Sequence, residues 1–289
     1  MAQALLLTLL SAALNAAWNV LLKTADDPLR TATRAVTLAM AAITPAIAVA
    51  WLAAGRPSVG PQAWGIAAAS GLVELAYFLC LSTAYQRGDL SAVYPLARGS
   101  APLLAVLAGL LILREQLRPI TLAGIALLLL GIWAVRRPRA GDAALVPALL
   151  TGVCIATYTT LDGVGTHLAP PWLYAWVLWA WTAGWLLLWS LLRPRADAIQ
   201  QAEQAAEQSA KPAPATGQAM VIGLLMTCSY WLVLLALRLA PLAVVAPLRE
   251  SSIVLVAGWG VWRLHERRDL WPRAGGALAI VLGAVALAW

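Results

Sequence analysis

The chain has 289 residues, 62% of them hydrophobic and only 11% charged, whereas an ordinary soluble domain carries about 25% charged residues. With a mean hydropathy of +0.78, this composition excludes a soluble globular protein and points to the membrane. The net charge of +7 does not argue for nucleic acid, because the basic residues are scattered as punctuation between apolar runs, where they set membrane topology.

A bilayer core about 30 Å thick takes roughly 20 mostly apolar residues per helix. The apolar runs predict ten spans, at 2–22, 33–54, 63–85, 90–113, 118–136, 143–168, 171–193, 217–238, 242–263 and 270–289. The first has no Lys or Arg ahead of it and stays apolar to Leu22, so it reads as a span and not as a signal peptide. An ionisable group at the centre of a span costs about 2.5–3.5 kcal/mol on insertion scales, so such groups face a bundle interior or a hydrated cavity. The third span carries Glu74, with Ser70 and Tyr77 on its face at spacings of four and three.

In the fourth span, SAVYPLARGSAPLL sets Arg98 between Pro95 and Pro102, with Ser91 and Tyr94 on the same stripe. Pro95 removes a helical N–H and disturbs the carbonyl of Ser91. This suits either a bent helix lining a pocket or a kink that only serves packing.

The sixth span puts Asp162 in line with Thr151, Cys154 and Tyr158, close enough to the helix end to be expected half solvated. The seventh holds six of the fifteen tryptophans, with Trp172, Trp176 and Trp179 on one face and Trp181, Trp185 and Trp189 on the other. They read mainly as interface anchors or packing. An aromatic wall for an amine or aromatic ligand would instead draw on Trp18, Tyr77, Tyr94, Tyr158, Tyr230 or Trp231.

The segment 193–218, rich in Ala, Gln, Glu and then Pro, reads as a surface helix running into a flexible loop. In the ninth span Arg249 and Glu250 are adjacent, about 100° apart around the axis, so one faces a cavity while the other reaches a neighbour. Cys80, Cys154 and Cys228 each fall inside a span without CxxC spacing, so they are expected to be buried small hydrophobes with no disulfide or zinc role. His167 and His265 are the only histidines, and HExxH, GxSxG and a Gly-rich phosphate loop are all missing. The chain is therefore read as no enzyme, with no cofactor and no metal.

Self-comparison finds a repeat. Residues 84–119 align with 236–272, pairing Pro95 with Pro247, Arg98 with Glu250 and Ser100 with Ser252 at an offset of 152. A shift of one residue then brings Glu115 near Glu266 and Pro119 near Pro272, and SAALNAAWNV resembles TGVCIATYTT, pairing Trp18 with Tyr158. Because each half holds an odd number of spans, the second must enter the membrane from the opposite side. The expected fold is an all-α integral membrane protein of ten transmembrane helices in two inverted five-helix repeats, 1–140 and 141–289.

The pattern YPLARGSAPLL, then LREQLRP, then LAGIALLLLGIWAV resembles the EamA-type branch of the drug/metabolite transporter superfamily across essentially the whole chain. The resemblance implies a ten-helix transporter, often an exporter of amino acids or other small metabolites, with a central cavity between the halves. Relatives of the wider superfamily move nucleotide sugars, sugar phosphates, choline-like cations or lipid-linked sugars, so the cargo stays open. The four-helix small multidrug resistance relatives use a membrane glutamate to exchange protons for cationic drugs. Matching LNAAWNVLLK to that helix puts Asn15 at the glutamate position and Lys23 at its lysine. Asn cannot carry the proton, so coupling would fall to Glu74 or Glu250, or be absent.

Orientation is divided. Fourteen Lys and Arg fall in loops away from the termini, against four (Arg56, Arg114, Arg118, Arg238) on the termini's side. The positive-inside rule then favours both termini outside, while the resemblance implies both inside.

The reading is a secondary transporter moving a small polar metabolite, an amino acid or related zwitterion or amine, by alternating access, with export from a bacterial inner membrane implied by the resemblance. Its expected binding residues are Glu74, Arg98 and Glu250 as cavity charges, with Tyr94, Tyr158, Trp18 and Tyr77 as lining. A structural Arg98–Glu250 ion pair is the plainer alternative for those two. Partners are the small-molecule substrate and membrane lipids, with no nucleic acid, and the oligomeric state is open, a monomer included. A lipid or head-group flippase, which needs a lateral opening, and a non-transporting scaffold or sensor, which needs no cavity, are the competing functions.

Overall fold

Proline sets where four of the helices begin. In the computed structural model, which describes residues 2–23, 25, 27–87, 90–135, 142–192, 216–250 and 270–288, α2 (Pro28–Ala53), α3 (Pro61–Arg87), α5 (Pro119–Val135) and α7 (Pro171–Leu192) each open on one. Its missing N–H is one that a helix start leaves unpaired anyway, and its φ is preset for the helix. The others are α1 (Ala2–Lys23), α4 (Leu90–Leu111), α6 (Asp142–Leu168), α8 (Thr216–Leu239), α9 (Leu242–Arg249) and α10 (Leu270–Ala288). No strand occurs among the described residues.

Two boundaries differ from expectation for local reasons. Helix α2 starts at Pro28, not 33, because Asp27 accepts the Arg30 N–H at 3.0 Å and caps the helix. Arg30 and Arg34 therefore ride the first turns of a helix instead of closing a loop. The ninth predicted span is helical from Leu242 to Arg249, where the Glu250 N–H bonds the carbonyl of Pro247 at 3.1 Å and tightens the turn; residues 251–263 lie outside the described part.

Six helices, α1, α2, α3, α6, α7 and α8, contain stretches long and apolar enough to cross a membrane, and α4 and α5 add the shorter apolar stretches Ser100–Leu111 and Pro119–Gly131. The radial pattern is the reverse of a soluble protein's. Leu191 and Leu111 are 81% and 74% exposed, whereas Glu74 and Asp162 are 5% and 0% exposed. Apolar side chains outside and carboxylates inside fit a chain dissolved in hydrocarbon, an integral multi-pass membrane protein.

Packing follows a small set of pairs. Helix α3 lies along α6 and α7, α8 along α1 and α2, α4 along α6, and α1 against α9. Three further pairs join helices five apart in chain order: α5 with α10, α4 with α9 and α2 with α7. The α5–α10 crossing depends on glycine. A Cβ on Gly131 would sit 2.6 Å from the carbonyl oxygen of Gly276, and one on Gly283 would sit 2.7 Å from that of Gly124. Backbones approach this closely only where side chains are missing, which is how helices pack tightly in a membrane.

The turn after α4 is tied to the start of α9 by two hydrogen bonds. Arg114 takes a positive φ of 54°, and the Glu115 N–H bonds the carbonyl of Gly109 at 3.0 Å. The turned carboxylate then accepts the N–H groups of Leu242 and Ala243 at 2.6 and 3.0 Å. It thereby satisfies the open N-terminus of α9 with a negative charge, the sign that end of a helix prefers.

Candidate substrate site

Six helices line one small, partly open cavity of about 30 Å³. Trp18 comes from α1, Glu74, Tyr77 and Phe78 from α3, and Tyr158 from α6. Trp179 comes from α7, Met226, Ser229 and Tyr230 from α8, and Arg249 from α9. The volume is far below the roughly 300 Å³ at which small-molecule pockets begin, so a metabolite-sized cargo fits only if the surrounding side chains or helices move.

Glu74 is held by α7. The Thr182 hydroxyl donates to Glu74 Oε2 at 2.6 Å and also lies 3.0 Å from the carbonyl of Leu178. So short a side chain reaches across because α3 and α7 touch one turn earlier, where a Cβ on Gly71 would sit 3.0 Å from the Thr182 amide nitrogen.

Asp162 is held from two sides. The Tyr174 hydroxyl donates to its Oδ1 at 2.8 Å, and the Tyr230 hydroxyl donates to its Oδ2. The expectation of a half-solvated Asp162 is corrected: it is fully buried. Only two residues separate α6 from α7, so Tyr174 folds back over the end of α6, with its ring filling the space a Cβ on Gly165 would need.

Rings line the rest of the site. Tyr77 meets Tyr158 at 5.9 Å between centroids, Tyr158 meets Tyr230 at 5.7 Å and Tyr230 meets Trp179 at 6.2 Å, all edge to face. The Arg249 guanidinium lies over the Tyr230 ring, 5.2 Å from its centroid, a cation–π placement. It is also within electrostatic reach of both Glu74 and Asp162. The site therefore offers an acidic acceptor, a cation and aromatic faces in one enclosure.

Four of the seven expected residues, Trp18, Glu74, Tyr77 and Tyr158, meet at this cavity. Glu250 is buried beside it but does not line it; its neighbour Arg249 does. The side chains of Tyr94 and Arg98 on α4 lie outside the described residues, and with them the expected Arg98–Glu250 pair. Trp179, Ser229, Met226 and Phe78 carried no signal of their own, although Met226 and Tyr230 share a face of α8 by their spacing of four. The cysteines depart from expectation: Cys80 and Cys154 are half-buried and close to each other across α3 and α6, and Cys228 is exposed. On an outer face in hydrocarbon a thiol needs no burial to behave as a small apolar group.

Comparison with known proteins agrees with this architecture. A solved structure described as "Crystal structure of protein" aligns with a TM-score of 0.73 at 18% identity, covering 99% of this chain and 98% of its own, a likeness of fold. No curated protein matches the sequence. Residues 2–137, just under half of the chain, match the EamA-like transporter family, so that part of the sequence is similar to a family of membrane transporters.

Proposed function

We propose that the chain is a secondary transporter that moves a small polar metabolite, an amino acid or related zwitterion or amine, by alternating access. The observation that carries this reading is the cavity, where Glu74 and Arg249 line one enclosure walled by aromatic rings and drawn from helices of both halves. Opposite charges buried in the same small space suit a cargo that carries both signs, and uncovering them to one side and then the other would move it across.

The ten-span, inverted arrangement is part of the reading, with units at 1–140 and 141–289. Its support is the exchange symmetry of the packing. Raising each helix number by five, and returning to the first half after ten, turns the α3–α6 pair into α8–α1, α3–α7 into α8–α2 and α4–α6 into α9–α1, all of which are in contact. The glycine contacts of α5 and α10 obey the same rule, since Gly124 and Gly131 precede Gly276 and Gly283 by 152 residues and each half's second glycine meets the other half's first. Export, across a bacterial inner membrane, is the direction in keeping with the family.

The test is counterflow in proteoliposomes loaded with unlabelled amino acids or amines and challenged with the labelled compound. Saturable exchange for one chemical class is expected, reduced at least tenfold by Glu74→Gln in protein that keeps its gel-filtration profile. Absence of exchange with every amino acid and amine, from folded wild-type protein, would remove the reading.

A further inference from the structure

Three indole N–H groups of this chain have acceptors. Trp185 Nε1 donates to the carbonyl of Ala68 at 3.1 Å, Trp176 Nε1 to the Thr44 hydroxyl at 3.1 Å and Trp51 Nε1 to the carbonyl of Pro57 at 3.0 Å. The buried Nε1–H groups of Trp179, Trp181 and Trp231 have no acceptor among the described residues, and of these three only Trp179, 4% exposed, lines the cavity. A buried donor left unpaired is costly, and in a cavity wall it is a vacancy for an acceptor that arrives from outside.

A second donor lines the same cavity. Trp179 and Arg249 contact the same Tyr230 ring, the indole edge to face at 6.2 Å between centroids and the guanidinium at 5.2 Å from the centroid. Arg249 carries five N–H donors in a planar fork, so whatever partners it already has, a carboxylate can share it. We propose that Trp179 Nε1–H and the Arg249 guanidinium form a carboxylate-binding subsite of the cavity, with Glu74 as the acceptor for the same cargo's ammonium group.

The geometry favours a carboxylate-bearing cargo over a simple amine. The Tyr230 face, which would otherwise attract a cation, is already covered by Arg249, so a free amine finds one aromatic site taken and a like charge beside it. The inference rests on the transporter reading above and narrows it to amino acids or their close analogues.

The experiment is isothermal titration of the purified full-length protein with matched pairs that differ only in the carboxylate: L-leucine and isopentylamine, L-phenylalanine and phenethylamine, L-lysine and cadaverine. For at least one pair the wild type should bind the acid at least tenfold more tightly than the amine. Trp179→Phe should weaken the acid at least tenfold, the lower end for a hydrogen bond to a charged group, and move the amine by less than twofold. If Trp179→Phe fails to fold, Arg249→Lys, which keeps the charge and loses the fork, should weaken the acid at least fivefold with the amine unchanged. An amine bound as tightly as its acid, or a variant that weakens both equally, overturns the carboxylate subsite and leaves the transporter reading standing. No binding of either member of any pair overturns both.

Discussion

The α5–α10 crossing and the cavity built by α1, α3, α6, α7, α8 and α9 both depend on helices brought unusually close, yet they put the closeness to opposite uses. At α5–α10, Gly131 meets Gly276 and Gly283 meets Gly124 with an apolar surround of Leu128 and Ile280. At the cavity, Gly71 lets α7 bring Thr182 onto Glu74, and Gly165 lets Tyr174 reach Asp162. The first is a dry seam whose only content is contact. The second spends its close approaches on placing polar groups that hydrocarbon could not satisfy. A membrane protein of this kind therefore has a rigid joint and a polar centre made by the same device, a missing side chain at a helix crossing.

The largest effect should come from filling the seam. Gly131→Leu and Gly283→Leu would each drive a side chain into opposing backbone, a mismatch with no flexible neighbour to move, and each should cost about 3 kcal/mol or more. Melting in detergent would register this, with equal losses for the two variants because they occupy exchange-related positions. A wild-type melting temperature for either would break the comparison.

Next in size is the polar centre. Asp162→Asn keeps the volume but weakens two phenol hydrogen bonds to a buried carboxylate, at a cost of about 2 kcal/mol. Tyr174→Phe and Tyr230→Phe should each cost less than that, and in the Asp162→Asn background each should cost less than in the wild type. Additive losses in that double-mutant cycle would show that the phenols do not act through Asp162.

The smallest of the three lies between the two regions. Glu115→Gln removes the negative charge from the N-terminus of α9 while keeping an acceptor near Leu242 and Ala243, so it should cost about 1 kcal/mol or less. Because α9 carries Arg249, the sharper readout is carboxylate binding, which should weaken even where the melting temperature hardly moves. Unchanged binding would mean that α9 is positioned by packing alone.

How much of this was legible beforehand depends on whether one helix sufficed to decide it. Glu74, Tyr77, Trp18 and Tyr158 could be picked out because a charge or a polar-tipped ring in mid-span must avoid lipid, and helical spacing says which neighbours share its face. Arg249 and Glu250 could not be ranked, because adjacent residues differ only in azimuth and the rotation of α9 follows from its packing on α1 and α4 and from the Glu115 cap. Trp179 was hidden for another reason: tryptophans cover both faces of α7, and only the whereabouts of acceptors separates an anchor from an open donor. The burial of Asp162 depended on a neighbour twelve residues ahead, Tyr174, folding back across a two-residue turn.

The sequence by itself determined that the chain lives in a membrane, roughly where its helices run, and which family it resembles. Those properties follow from local hydrophobicity and from spacing along one chain, which hydrocarbon as a solvent reads residue by residue. Only the tertiary structure decided which face of each helix meets which other, and so that Arg249 lines the cavity, that Asp162 is tied between two tyrosines and that Trp179 keeps a hydrogen to give. In a medium as apolar as the side chains themselves, those choices rest on close packing and on hydrogen bonds between distant segments, and neither is written in the period of any single helix.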